Sequence, residues 1–474
     1  MHILLLTLRI NHLIINIPKK EKTPMLINFT VSNFRSFKEE ALLNLAPAKR
    51  IKEKSEHVLH SPKNKKVDVL PVSVIYGKNG SGKTTFIDAL FFMKLRVTQD
   101  IYPSVTPFRL ADTIQENEPT RFSILFKYHD IVYDYGFSLH KKVVQEEWLS
   151  AYFSSKPSLL FERYNENGKP MATFGQALIS ATPKGKNYLG FIMEGINQEE
   201  LFLREAVNRN VKILAPIIEW FSDHCFIIMP ESKVQALELL LHDQSETLQK
   251  INERIKEMDL DIDELDSVRK PFDIDKFCSR FEDAEAAQYH SMFEEMQENE
   301  AVPLNDEYAN PHGVVLKTAD GFEMVKLEAG YTRQDGKHIQ FDMSLASSGM
   351  NRMLHLLPAL DLIHGEDTVF VIDELERSLH TLLAQYFIKN FITETTNSQM
   401  GNQLIFSTHD TNLLDADIFR SDEIWLIEKD PGHGSHLCNL VEFKLTTGLN
   451  YEKGYLSGRF GAIPVFHGNQ LRIH

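Results

Sequence analysis

Apolar and polar residues alternate over Ile27, Phe29 and Val31, followed by Phe34 and Phe37, which predicts an edge strand entering a core, with Ala41 to Leu45 as its hairpin partner. The same period returns over Phe122, Ile124, Phe126 and Tyr128. After the short connection His129-Asp130 it continues over Tyr133, Tyr135, Phe137 and Leu139, so these two runs predict an antiparallel hairpin. Strand-like runs at Trp148 to Phe153 and Leu159 to Tyr164 extend it into an antiparallel β layer. Three further runs, Val72 to Tyr76, Thr368 to Ile372 and Leu404 to Phe406, are predominantly apolar and predict strands of a parallel core.

From Ser232 the period becomes helical. Leu248, Ile251, Ile255 and Met258 are spaced three and four apart, and a second helical segment includes Phe281, Met292, Phe293 and Met296. Two heptads are too few for a long coiled-coil arm, so the expectation is a compact helical insertion. Strand-like segments resume at Val314 to Leu316 and Ile339 to Phe341. An apolar helix starting near Asn351 follows within Leu345 to Ile363, and a last hairpin is expected over Ile424 to Phe443.

Charge narrows the partners. The 474 residues carry a net charge of −15, which disfavours a surface dominated by nucleic-acid phosphates and leaves DNA or RNA contact to local features. The candidate is a lysine-rich stretch, Lys49, Arg50, Lys52, Lys54, Lys63, Lys65 and Lys66; such a run in a polar loop is ordinarily a solvated face. Between Asp259 and Glu300 fourteen acidic residues face four basic ones, an excess of ten negative charges that would repel phosphates, so this insertion is expected to meet protein. Asp259, Asp261 and Asp263 alternate as nuclease carboxylates do, but no apolar strand precedes them and solvation of a helix end is the simpler account. Cys225, Cys278 and Cys438 form no CxxC pair, the usage of a reduced, cytoplasmic protein. The apolar first 24 residues are interrupted by Arg9, Asn11 and His12, with lysines after the run and not before it. They suit neither a membrane span nor a signal peptide, and the fold is expected to begin at Met25.

The candidate chemistry centres on GKNGSGKT, with Gly77, Lys78, Asn79, Gly80, Ser81, Gly82, Lys83 and Thr84, and Thr85 just beyond. It matches the phosphate-loop pattern G-x-x-x-x-G-K-[ST], follows an apolar strand and opens a helix containing Phe86, Ile87, Ala89 and Leu90. Glycines let the backbone wrap a polyphosphate at a helix N-terminus; Lys83 then reaches the β and γ phosphates and the Thr84 hydroxyl serves Mg²⁺. TVFVIDELERSLH is a strand ending in adjacent carboxylates, Asp373 to hold the metal and Glu374 as general base toward water. LIFSTHD repeats that design and ends at His409, a donor able to sense a γ phosphate. Ser347, Ser348 and Gly349 precede the helix near Asn351 and offer a second anion site, which an ordinary N-cap explains equally well. His433, His436 and Cys438 lie at a hairpin tip where PGHGSH reads as turn chemistry.

These motifs together, NFRSF, GKNGSGKT, ASSGMNR, VIDELERSLH and STHD, with GRFGAIP at Gly458 to Pro464, resemble the ATP-binding-cassette ATPases of the structural-maintenance-of-chromosomes and RecF-like branch. More narrowly they resemble compact bacterial AAA-family ATP-binding proteins. The resemblance implies an α/β ABC-ATPase head, a mixed sheet with a phosphate-loop core plus an antiparallel β layer, and a helical insertion. Its parts would be an appendage at 1–24, an N-terminal lobe at 25–231, an acidic helical insertion at 232–302 and a C-terminal lobe at 303–474. It also implies a head-to-tail homodimer, open to higher oligomers, in which ATP and Mg²⁺ held by Gly77 to Thr84 of one subunit are closed over by Ser347 and Gly349 of the other. Gln145 stands as a candidate for the glutamine of the sense loop. SSGM stands where the wider family has SGGQ, and Thr381 where relatives often carry proline. Such relatives, Septu-like and PARIS-like among them, serve as ATPase subunits of anti-phage systems beside a separate nuclease or toxin effector. The roughly 65 residues after His409 leave no room for a nuclease domain, so cutting is expected of a partner. The alternatives are a nucleotide-stabilised scaffold with little turnover and a RecF-like DNA-repair ATPase.

Overall fold

The computed structural model describes residues 8–9, 25–60, 67–110, 117–166, 168–230, 238, 241, 245–298, 300–304, 313–361, 367–398, 401–443 and 450–460. Ser232, Lys63, Lys65, Lys66 and Gly461 to Pro464 therefore lie outside the described residues. The fold is α/β and forms two compact units, the larger from Lys20–Pro230, Ile363–Glu376 and Ile388–His474, the smaller from Met1–Lys19, Glu231–Leu362 and Arg377–Phe387.

Besides the short antiparallel pair Leu59–His60 and Asp68–Val69, the larger unit contains two large sheets. One is built from the strands β1 (Val72–Tyr76), β2 (Cys225–Ile228), β3 (Val369–Ile372), β4 (Gln403–Thr408), β5 (Ile424–Lys429) and β6 (Ser435–Asn439), in spatial order β2-β3-β4-β1-β5-β6. All neighbours are parallel except β5 and β6, the hairpin expected at the C-terminal side. β1 and β4 are buried at every residue, which is why their sequences show no alternation. The second sheet is antiparallel, ordered Lys169–Phe174, Ser158–Glu166, Val143–Tyr152, Ile131–His140, Thr120–Tyr128, Met25–Ser32, Ala41–Asn44. Met25–Ser32 is thus an inner strand and not the edge that its alternation suggests, because Ala41–Asn44 pairs on one side while Thr120–Tyr128 pairs on the other. Between the two sheets, the fully buried Gln403 of β4 accepts the Leu26 N–H (2.6 Å) and donates to Leu26 O (3.0 Å) and Leu70 O (3.2 Å). The main apolar core of this unit includes Phe29, Phe86, Phe122, Phe126, Trp220 and Val371, and a smaller cluster forms around Met25, Ile27, Leu59, Val69 and Val132.

The smaller unit has its own sheet, ordered Leu8–Arg9, Glu300–Leu304, Gly313–Thr318, Gly321–Thr332, Glu264–Pro271, with His338–Asp342 also paired to Gly321–Thr332. The helices Ser245–Glu257 and Asp283–Glu295 match the helical periodicity, and Phe277, Phe293, Met296, Val302 and Val315 form the core beside the sheet. Glu264–Pro271 is a strand among them that periodicity does not announce. Only Leu265 of it is buried; backbone pairing holds the rest, with cross-strand ion pairs Arg269–Glu323 (3.4 Å) and Lys270–Glu328 (2.6 Å). Asp263 is exposed, and hydrogen bonds from the Thr332 hydroxyl and then the Thr332 N–H hold its carboxyl below the usual range. Among the described residues no helix is long and apolar enough to cross a membrane.

Candidate nucleotide-binding site

The loop Gly77–Gly82 leaves the end of β1 and enters the helix α1 (Lys83–Thr98), in the strand, loop, helix order the motif requires. Its shape depends on Gly82, whose φ of 120° is closed to L side chains and whose Cβ position would lie 2.6 Å from Ser435 Oγ and 2.9 Å from Ser36 Oγ. Those two serines brace the loop. Ser435, the first residue of β6, donates its N–H to Ser36 O (2.7 Å) and its hydroxyl to Ser81 O (2.5 Å), and shares a hydrogen bond with Ser36 Oγ (2.9 Å). Next to Ser36, Arg35 pairs with Asp88 on α1; burial pushes the Asp88 carboxyl up and the guanidinium opposes it.

Lys83 is 6% exposed, and its Nζ donates to Gly77 O (2.6 Å) and Lys78 O (3.4 Å). An ammonium has three N–H groups, so one remains for a ligand. Burial pushes its pKa down, while the carboxylates Glu376, Asp373 and Glu374, in that order, pull it up. The hydroxyl of Ser81 is buried without a hydrogen-bond partner inside the loop. Asn79 and Thr84 are exposed, Lys78 and Thr85 half-buried.

The two motif acids occupy different environments. Asp373, just past β3, is fully buried, and Ser407 of β4 donates its hydroxyl to Asp373 Oδ1. The same hydroxyl accepts the Glu374 N–H (2.9 Å). Glu374 is half-buried and held at φ 47°, a left-handed conformation that costs a non-glycine residue roughly 1–2 kcal/mol. His409 lies two residues beyond Ser407, on a side chain 53% exposed. Its backbone N–H and its Nδ1 both lie 2.8 Å from Glu376 Oε1. Burial, and after it the charge of Glu376, raises the Tyr76 hydroxyl well above its ordinary pKa.

Phosphate loop, acids and histidine therefore all belong to the larger unit. Ser347, Ser348 and Gly349 belong to the smaller. There Ser347 Oγ accepts the Met350 N–H (3.2 Å), so the helix Ser348–Asp361 starts earlier than Asn351 and Ser347 is its N-cap. Ser347 and Ser348 are exposed, and a Cβ on Gly349 would stand 2.6 Å from Ser378 O. Gln145 lies within the antiparallel strand Val143–Tyr152 and donates to Val143 O (3.3 Å). At the tip of the β5–β6 hairpin, His436 Nε2 pairs with Asp430 Oδ2 (2.8 Å). Among the described residues no group of three or more His, Cys, Asp or Glu is arranged to hold a metal ion.

Four contributors escaped the sequence reading: Ser36, Ser435, Ser407 and Glu376. For two of them a signal exists. Parallel register pairs Ile372 with Phe406, which sets Ser407 opposite Asp373, and Glu376 is the third acid of DELE.

Residues 72–415 match the family described as "AAA domain, putative AbiEii toxin, Type IV TA system". No curated protein matches the chain. Among solved structures, similarity extends to an "SMC head domain from Thermotoga maritima" at 13% identity and a TM-score of 0.34, covering 88% of this chain and 98% of that one. It also extends to the structure titled "Crystal structure of the SmcHead bound to the C-winged helix domain of ScpA" at 12% identity and a TM-score of 0.37, covering 91% and 99%.

Proposed function

The chain belongs to the AAA-domain family described as putative AbiEii toxin, type IV TA system, and from that membership we propose that it is an ATPase that binds ATP through Gly77 to Thr85 and hydrolyses it with Glu374 and His409. One observation carries this: the loop ahead of α1 is pre-shaped by Gly82 and its serine braces, with Lys83 buried beside it and a buried Ser81 hydroxyl that lacks the partner a phosphate oxygen would supply. The donors also fit magnesium, since Thr84 offers a hydroxyl and Asp373 one oriented carboxylate, few protein ligands being what this ion prefers. When bound, the ion supplies Lewis-acid polarisation of the phosphate oxygens.

The rest is work of the chain's own residues. Lys83 and the first N–H groups of α1 hold the β and γ phosphates by charge and direction. Glu374, half-exposed at its bent backbone, takes a proton from the attacking water. His409 donates to the γ phosphate from an exposed ring. In this reading two copies close over the nucleotide, with Ser347, Ser348 and Gly349 of one facing the loop of the other, and the nucleotide state governs a separate nuclease or toxin effector in anti-phage defence. The toxin–antitoxin words in the family's description support an effector partner.

A second reading has its own support. The Ser347 hydroxyl is engaged as an N-cap, which weakens any trans contact to phosphate and favours a nucleotide-stabilised scaffold with slow turnover. Purifying the chain with its genomic neighbour and measuring mass and neighbour-dependent nucleic-acid cleavage separates the two. With ATP and Glu374→Gln, the ATPase reading expects a trapped ATP-bound dimer and cleavage that follows the nucleotide state. A complex indifferent to that substitution supports the scaffold.

A further inference from the structure

Glu376 is the acid of this site to which the ATPase reading gives no task. It is 7% exposed, three residues past Asp373, and its Oε1 receives two contacts from one residue, the backbone N–H and the Nδ1 of His409, each at 2.8 Å. Its Oε2 is buried without a partner. A buried carboxyl oxygen without a partner costs free energy, so its presence here points to a task for the residue.

We propose that Glu376 is a positioning residue for hydrolysis, fixing His409 as the Nδ1–H tautomer so that Nε2 is the ring nitrogen presented to the γ phosphate. The inference rests on the ATPase reading above. A neutral imidazole in water favours neither geometry strongly, but a carboxylate oxygen 2.8 Å from Nδ1 repels a lone pair on that nitrogen and so favours the proton there. The second contact, from the His409 N–H to the same oxygen, fixes the backbone from which the ring swings. One carboxylate oxygen thereby contacts both the ring and the main chain of His409. The His409 side chain is 53% exposed, so the ring is open to a ligand. Partners of this kind, which orient a reactive imidazole from behind, typically carry about 10- to 100-fold of activity.

The test combines a nucleotide-free readout with kinetics. In protein labelled with ¹⁵N-histidine, the His409 ring, assigned with His409→Gln, should show the Nδ1–H tautomer in wild type and in Glu376→Gln, whose amide oxygen still accepts, and a mixture in Glu376→Ala. In turnover, Glu376→Ala should lower kcat by about 10- to 100-fold with ATP affinity unchanged, to the level of His409→Ala, and the double variant should be no slower than either single one. Glu376→Gln should recover most of the rate. Glu376→Gln as inactive as Glu374→Gln would overturn the proposal by making Glu376 a base, and so would wild-type turnover in Glu376→Ala or an unchanged tautomer. A wild-type chain that neither binds nor hydrolyses ATP would remove the ATPase reading instead, and the tautomer measurement would still decide what Glu376 does to His409.

Discussion

Alanine at Gly82 and at Gly80 separates two sources of loop shape that the motif alone cannot distinguish. Both glycines have positive φ, 74° at Gly80 and 120° at Gly82, but a Cβ at Gly80 meets nothing within 4 Å, whereas at Gly82 it meets Ser435 Oγ at 2.6 Å, Ser36 Oγ at 2.9 Å and Ser435 Cβ at 3.1 Å. Gly80→Ala therefore carries only the backbone term, about 1–2 kcal/mol for a left-handed alanine. Gly82→Ala carries about 1–3 kcal/mol for a more restricted conformation plus about 1–3 kcal/mol for overpacking against the serine brace, together about 2–6 kcal/mol. That loss is shared between fold stability and ATP affinity, so urea denaturation and equilibrium ATP binding should be measured on the same preparations. Ser435→Gly in the Gly82→Ala background should restore the overpacking share, about 1–3 kcal/mol, and not the backbone share. Summed losses for Gly82→Ala no greater than those for Gly80→Ala, or no recovery with Ser435→Gly, would refute the claim that Ser36 and Ser435 shape the loop.

Two further outcomes follow from buried groups in the larger unit. Gln403→Leu removes three buried hydrogen bonds, to the Leu26 N–H, Leu26 O and Leu70 O, so the urea midpoint should fall by the equivalent of roughly 3 kcal/mol or more, and a loss below about 1 kcal/mol would show that the two sheets are joined by other means. Burial pushes the Cys225 thiol up to about 11, so in native protein at pH 8 only about one molecule in a thousand carries its thiolate. Iodoacetamide with mass mapping should then modify the half-buried Cys438 first and reach Cys225 only in denaturant; equal rates would contradict the packing of β2.

How much of this was legible in the sequence depended on which signal an element leaves. The hairpin Thr120–Tyr128 and Ile131–His140 was readable because one face of it is core, and so alternation survives in the residues. β1, β3 and β4 were readable as predominantly apolar runs ending in polar motifs. Glu264–Pro271 was not, since its place comes from backbone pairing and charged neighbours on Gly321–Thr332. Nor was the inner position of Met25–Ser32, because alternation reports faces and is silent about which strands pair along the edges. At the site the motif residues announced themselves, while their supports did not. Ser36 and Ser435 stand 399 residues apart and meet only because the β5–β6 hairpin brings one to the other. Small hydroxyl residues carry no pattern, and their value appears only when the chain has folded around them.

The measurement that bears most directly on the account is equilibrium binding of ATP, with magnesium, to the wild-type chain and to Lys83→Ala. The account predicts saturable binding to one site per chain in wild type, and its loss in Lys83→Ala without loss of the fold, because the remaining ammonium N–H of Lys83 is the charge the loop directs at the phosphates. Wild-type affinity retained by Lys83→Ala, or no binding by the wild-type chain, would contradict it.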